Sequence, residues 1–141
     1  MKHWVSLVAG ALTLLAPVPV RAQSPTLAAA ANSARQAWAA QDVGALMAAS
    51  PRVLVQLPGA DPSAPVGQAQ AVALVRDYLR RAEEVETSVK SVREGRDGRG
   101  FVELSRRYKV TGTQEIRTQS VLLSYETVGG AWVLVELRVS G

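Results

Sequence analysis

The chain contains no cysteine, and its one histidine stands at position 3. The first absence removes disulfides and thiolate chemistry, so the fold must be held together by packing. The second leaves everything beyond the N-terminus without the usual proton-transfer group and metal ligand of neutral pH. A metal site would then need clustered oxygen ligands. The one run of that kind, Glu83, Glu84 and Glu86, reads as the solvent-facing end of a helix, so no metal and no cofactor is expected. Aromatic residues make up only 5% of the chain. The arginines Arg93, Arg96 and Arg99 have no aromatics between them and are diluted by Glu94 and Asp97, which describes a solvated hairpin and not a nucleic-acid surface. An excess of one charge is missing too. Against 12 acidic residues there are 16 basic ones, a formal net charge of +4, and Lys2 and Arg21 supply half of that.

Long apolar runs are absent beyond Trp4–Leu15, which is shorter than the roughly 20 residues of a spanning helix and is followed by Pro17 and Pro19. Lys2 and His3 precede it, and Val20-Arg21-Ala22 places small residues where a signal peptidase reads. This is the pattern of a secretory signal peptide cleaved after Ala22. The expected product is an exported bacterial protein, periplasmic or secreted, with no membrane contact after cleavage. Residues 23–141 are the right length for one domain with its own core.

The retained part shows two helical regions and then strands. Leu27, Ala31, Ala34 and Trp38 follow the period of one helical face. Asp42 reads as the cap of a new helix start at a bend, a structural role, and Ser50-Pro51 ends the helical stretch. Val53, Val55 and Leu57 alternate in a short strand stopped by Pro58-Gly59. A proline-containing loop, residues 60–66, has the character of a segment bordering a cavity mouth. Gly67 leads into a helix carrying Ala71, Leu74, Val75, Tyr78, Leu79 and Ala82 on one face. Four strands follow over residues 85–94, 101–111, 116–126 and 131–139, separated by Gly-marked turns at 95–100, 112–114 and 129–130. Val102, Leu104, Tyr108 and Val110 share one side of the second of these strands, and Arg106 breaks that apolar row. In the last strand the alternation assigns Val133, Val135, Leu137 and Val139 to the core, and Trp132, Leu134, Glu136 and Arg138 to the opposite face.

This order resembles the nuclear-transport-factor-2-like superfamily, also called SnoaL-like or cystatin-like. The resemblance is carried by Trp38-Ala-Ala-Gln-Asp42, the strand from Arg52 to Pro58, Gly67 with its helix, and Gly129-Gly130-Ala131-Trp132-Val133-Leu134. It implies an α+β fold in which a curved antiparallel sheet wraps N-terminal helices into a cone with an internal pocket, and a homodimer formed through the outer sheet face. Fold analogy by itself licenses no activity.

The pocket candidates are Trp38, Tyr78, Arg106, Tyr108 and Gln119, facing a small apolar or anionic ligand. Arg106 is the most informative of them, since an arginine within an apolar row snorkels, pairs with a carboxylate or meets an anion. Ile116, Trp132 and Leu134 are the interface candidates. No catalytic residue is assigned, and the expected role is a non-catalytic ligand-binding or protein-interaction domain. The alternative is a cofactor-free isomerase or dehydratase, with a base drawn from Glu103, Glu126 or Glu136 and a donor from Tyr78, Tyr108 or Tyr125. A water-accessible cavity with a buried Glu of raised pKa beside a Tyr would favour chemistry. A cone filled by Trp38, Leu74, Tyr78, Val121 and Leu123 would exclude it.

Overall fold

A computed structural model describes residues 26–141; the expected signal peptide lies outside the described residues. Helix α1 (Leu27–Ala39) starts at Thr26, whose hydroxyl accepts from the Ala29 amide at 3.1 Å. Its buried stripe is Leu27, Ala31, Ala34 and Trp38. The helix does not merely bend beyond this point. It stops, because Gln41 takes a left-handed conformation with φ 54° and turns the chain into the single-turn helix α2 (Val43–Leu46), capped by Asp42 accepting from Ala45 N at 3.1 Å. A backbone reversal at a non-glycine residue needs support. Here the Gln41 side chain donates to the Ala82 carbonyl at 2.8 Å and ties the corner to the sheet.

Strand β1 (Arg52–Gln56) pairs antiparallel with the two-residue β2 (Val66–Gly67) and parallel with the last strand, β6 (Ala131–Ser140). Helix α3 (Gln68–Leu79) buries Ala71, Val75 and Leu79. Ala82, expected on that helix, instead begins β3 (Ala82–Glu94), which leads through β4 (Arg99–Val110) and β5 (Ile116–Val128) to β6 in an antiparallel meander. The sheet order is β2-β1-β6-β5-β4-β3. Gly129 and Gly130, at φ 58° and 81°, make the tight β5–β6 turn that requires positive φ at both positions.

Three irregularities decide which side chains face the helices. Strands β4 and β5 pair without a shift from Arg99↔Glu126 to Lys109↔Ile116, so simple alternation puts Val102, Leu104, Arg106 and Tyr108 inside, opposite Leu123, Val121 and Gln119. Strand β3 has register shifts at Val85 and at Lys90, and β6 has one at Val135, between the pairs Ser124↔Glu136 and Tyr125↔Leu134. Each added residue reverses the inside–outside parity of what precedes it. The β6 shift corrects the sequence expectation. Leu134, assigned to the outer face, is 2% exposed and lies in the core. Trp132 is half-buried and packs against that core. Of the three interface candidates only Ile116 is exposed.

Candidate ligand-binding site

Arg106 occupies an inward position in the middle of β4 and is fully buried. A buried guanidinium is tolerated only when charge and donors are both matched. The charge is matched by Glu84, whose two carboxylate oxygens accept from Nε at 3.2 Å and from Nη2. The third contact is Nη1 donating to Gln119 Oε1 at 3.1 Å, and that same oxygen accepts from the Tyr78 hydroxyl at 2.8 Å. Three aromatic rings surround the cation. Its Cζ lies 4.0 Å from the Tyr108 centroid, 5.4 Å from that of Trp38 and 5.8 Å from that of Tyr78, within the range of cation–π attraction.

The structure therefore brings Trp38, Tyr78, Arg106, Tyr108 and Gln119 together around one guanidinium, with Ile116, Trp132 and Leu134 outside the cluster. The group that sequence reasoning missed is Glu84. Counted in a helix-terminal acidic run facing solvent, it is in fact a strand residue whose side chain is 4% exposed. The cause is the β3 irregularity. Thr87 pairs with Arg106 and Glu84 with Tyr108, and the extra residue, Val85, turns Glu84 to the same face as Thr87 while Val85 itself faces out at 45% exposure. The available signal was indirect: an inward arginine in an apolar row requires a carboxylate within reach on a neighbouring strand.

A cavity of about 440 Å³ opens over this cluster. Leu57, Pro58, Leu74 and Val110 give it apolar walls, and Tyr78, Tyr108 and Arg106 form its deep end. Trp38, Val121 and Leu123 are packed in the core, whereas Leu74 and Tyr78 line the opening, so the cone is not filled. Burial raises the Tyr78 pKa above its ordinary value, partly offset by its bond to Gln119 and by the Arg106 charge, which keeps the hydroxyl a donor at neutral pH. Of the carboxylates proposed as bases, Glu103 pairs across the strands with Leu122 and Glu136 lies beside Arg138 on the outer face, and Glu126 is exposed in β5; none lines the cavity. Asp77 stands at the mouth, paired with Arg80 in solvent. Among the described residues there is no group of three or more side chains able to ligate a metal, and no helix is long and apolar enough to cross a membrane.

An open six-stranded mixed sheet, antiparallel except where β1 runs parallel to β6, packed against helices beside a cavity with apolar walls and a polar end, defines an α+β fold. Solved structures make the architecture specific. A ketosteroid isomerase-like protein from Erwinia carotovora atroseptica is similar at TM-score 0.66 and 16% identity, over 81% of this chain and 92% of that one. A DUF4783-family protein from Bacteroides uniformis is similar at TM-score 0.65 and 14% identity, over 77% and 94%. An LEH-like epoxide hydrolase from M. tuberculosis is similar at 0.56 and 14%, over 78% and 77%. No family model and no curated protein matches the chain. The fold is nuclear-transport-factor-2-like, and at these identities the likeness establishes the fold alone.

Proposed function

We propose that this chain is an exported domain that binds a small, mainly apolar ligand in the mouth of the cone and performs no chemistry on it. The observation that carries this reading is the Arg106–Glu84 pair. Acid–base catalysis next to a carbonyl needs a carboxylate with a lone pair aimed at substrate. Glu84, the carboxylate buried behind Arg106, directs both oxygens at that guanidinium and does not line the cavity, so it is a partner and not a base. The same pairing supports a neutral ligand. An unpaired arginine would favour an anion, but one already neutralised at close range offers an anion little compensation for its lost hydration. A neutral molecule with an apolar body against Leu57, Leu74 and Val110, and one acceptor near the Tyr78 hydroxyl and the Arg106 N–H groups, suits the mouth better.

Self-association through the outer sheet face is part of the same proposal. Phe101, Ile116 and Leu122 are exposed there at 37–45%, and Phe101 and Leu122 line a groove of about 700 Å³ together with Arg93, Glu103, Glu136 and Arg138. Such a mixed face suits pairing with a second copy, where opposite charges set the register. A native mass spectrum of the protein taken from the compartment where it accumulates reads all three elements together. The expected species is a dimer of chains beginning at Gln23, carrying a retained neutral molecule. A chain that keeps residues 1–22 contradicts export by cleavage, a monomer at micromolar concentration contradicts the interface, and a bare mass from every preparation contradicts a retained ligand.

A further inference from the structure

A second cleft, of about 430 Å³, opens between α1, α2 and the other end of the inner face of β5. Its walls are the small side chains Ala30, Ala34 and Ala37 of α1 and Ala45 of α2, with Asp42 at its edge. Small residues alone describe only close packing. What distinguishes this cleft is Tyr125, which lines it, is 6% exposed and makes no hydrogen bond among the described residues. Its hydroxyl is not one of the enclosed polar atoms without a partner, which among the described residues are Trp38 Nε1 and Thr87 Oγ1, so a mostly buried side chain ends in a donor that meets the open cleft, whereas the hydroxyl of Tyr78, the other inward tyrosine at a cavity, is held by Gln119.

We infer that this cleft is a second binding site, for a small uncharged molecule whose carbonyl or ether oxygen accepts from the Tyr125 hydroxyl while its apolar body fills the space along the alanines of α1. The lining carries no cation, and Asp42 is its only ionisable group besides the tyrosine, so an anion is disfavoured. Burial moves the Tyr125 pKa up to about 12, and the hydroxyl is therefore a donor throughout the physiological range. Tyr125 lies six residues along β5 from Gln119, about 20 Å at the rise of a strand, which makes the site separate from the Arg106 mouth.

Titration of the protein, in the form the cell produces, with acetophenone and followed by amide NMR tests the inference. The expected result is a set of shifts at Ala30–Leu46 and around Tyr125 that saturates. Tyr125→Phe should weaken this binding threefold to tenfold, about the worth of one hydrogen bond. Ser33→Leu, an exposed position on the cleft wall, should abolish it by filling the space, and Tyr78→Phe should leave it unchanged. Benzoate should bind this site at least tenfold more weakly. Absence of saturating shifts at the α1–α2 corner up to millimolar acetophenone would overturn the assignment, as would shifts there that survive both Tyr125→Phe and Ser33→Leu.

Discussion

The two ends of the inner face of β4 and β5 are built on the same two strands with the same unbroken register, yet they differ in kind. At one end Gly100 and Tyr125 face each other across the strands beneath Leu27 and Trp132, and packing is so close that a methyl group at Gly100 would come within 2.7 Å of Leu27 Cδ2. At the other end Arg106 and Gln119 face each other, and the neighbouring side chains are charged or aromatic and leave a mouth open. The apolar end stabilises the fold through burial. The polar end is held by one compensated ion pair, and its cavity is lined by Arg106, Tyr78 and Tyr108, whereas the cleft beside Tyr125 at the apolar end is walled by alanines.

The largest effects should come from unpairing the polar end. Arg106→Met leaves Glu84 buried without a partner and Glu84→Gln leaves the guanidinium uncompensated; either should lower stability by about 3–5 kcal/mol. The double variant Arg106→Met/Glu84→Leu should lose much less than the sum of the two single losses, as read by chemical denaturation. Additive losses would mean that the two side chains are not coupled.

The apolar end should respond through cavities. Leu134→Ala is expected to cost about 2–5 kcal/mol, as for a core leucine, and Leu122→Ala on the outer face less than about 1 kcal/mol. Equal losses would contradict the parity reversal at Val135.

The two tyrosines separate the ends by pH. Tyr125 has its folded pKa raised to about 12 from an ordinary 10.0. Below pH 10 both folded and unfolded chains hold that proton and stability does not depend on it. Between about pH 10 and 12 the unfolded chain releases it first, so stability falls by about 2–3 kcal/mol. Tyr125→Phe should flatten that part of the denaturation profile. A flat profile in the parent protein would contradict the desolvation of this side chain.

The smallest effect tests the polar end again. The Thr87 hydroxyl is buried and has no hydrogen-bond partner among the described residues, so Thr87→Val should leave stability unchanged or raise it by up to about 1 kcal/mol. A loss would reveal a partner for that hydroxyl.

Most of this architecture was legible in the sequence wherever the local rule ran without interruption. Alternation across β4 placed Val102, Leu104, Arg106 and Tyr108 on one face, glycines marked the turns, and Asp42 announced a helix start. Reading failed where one residue was added to a strand. Alternation cannot show a bulge, because the extra residue obeys the same propensities as its neighbours. Leu134, expected outside and in fact core, follows from that cause; Glu84, expected at a helix end in solvent, was misplaced because β3 already begins at Ala82, and the added residue Val85 then turns it inward to Arg106. The helix break was illegible for a related reason, since the left-handed conformation falls on Gln41 and is supported by a contact with Ala82, distant in sequence.

In the proposed function, Glu84 turns an arginine-floored mouth into a site for neutral ligands. Methyl benzoate and benzoate, a matched pair differing in charge, test it most directly when titrated against the parent protein and against Glu84→Gln while the amides near Tyr78 and Tyr108 are followed. The parent should bind the ester at this mouth at least tenfold more tightly than the anion, and Glu84→Gln should shift the preference towards benzoate. Tighter binding of benzoate by the parent, or a preference that Glu84→Gln leaves unmoved, would contradict it.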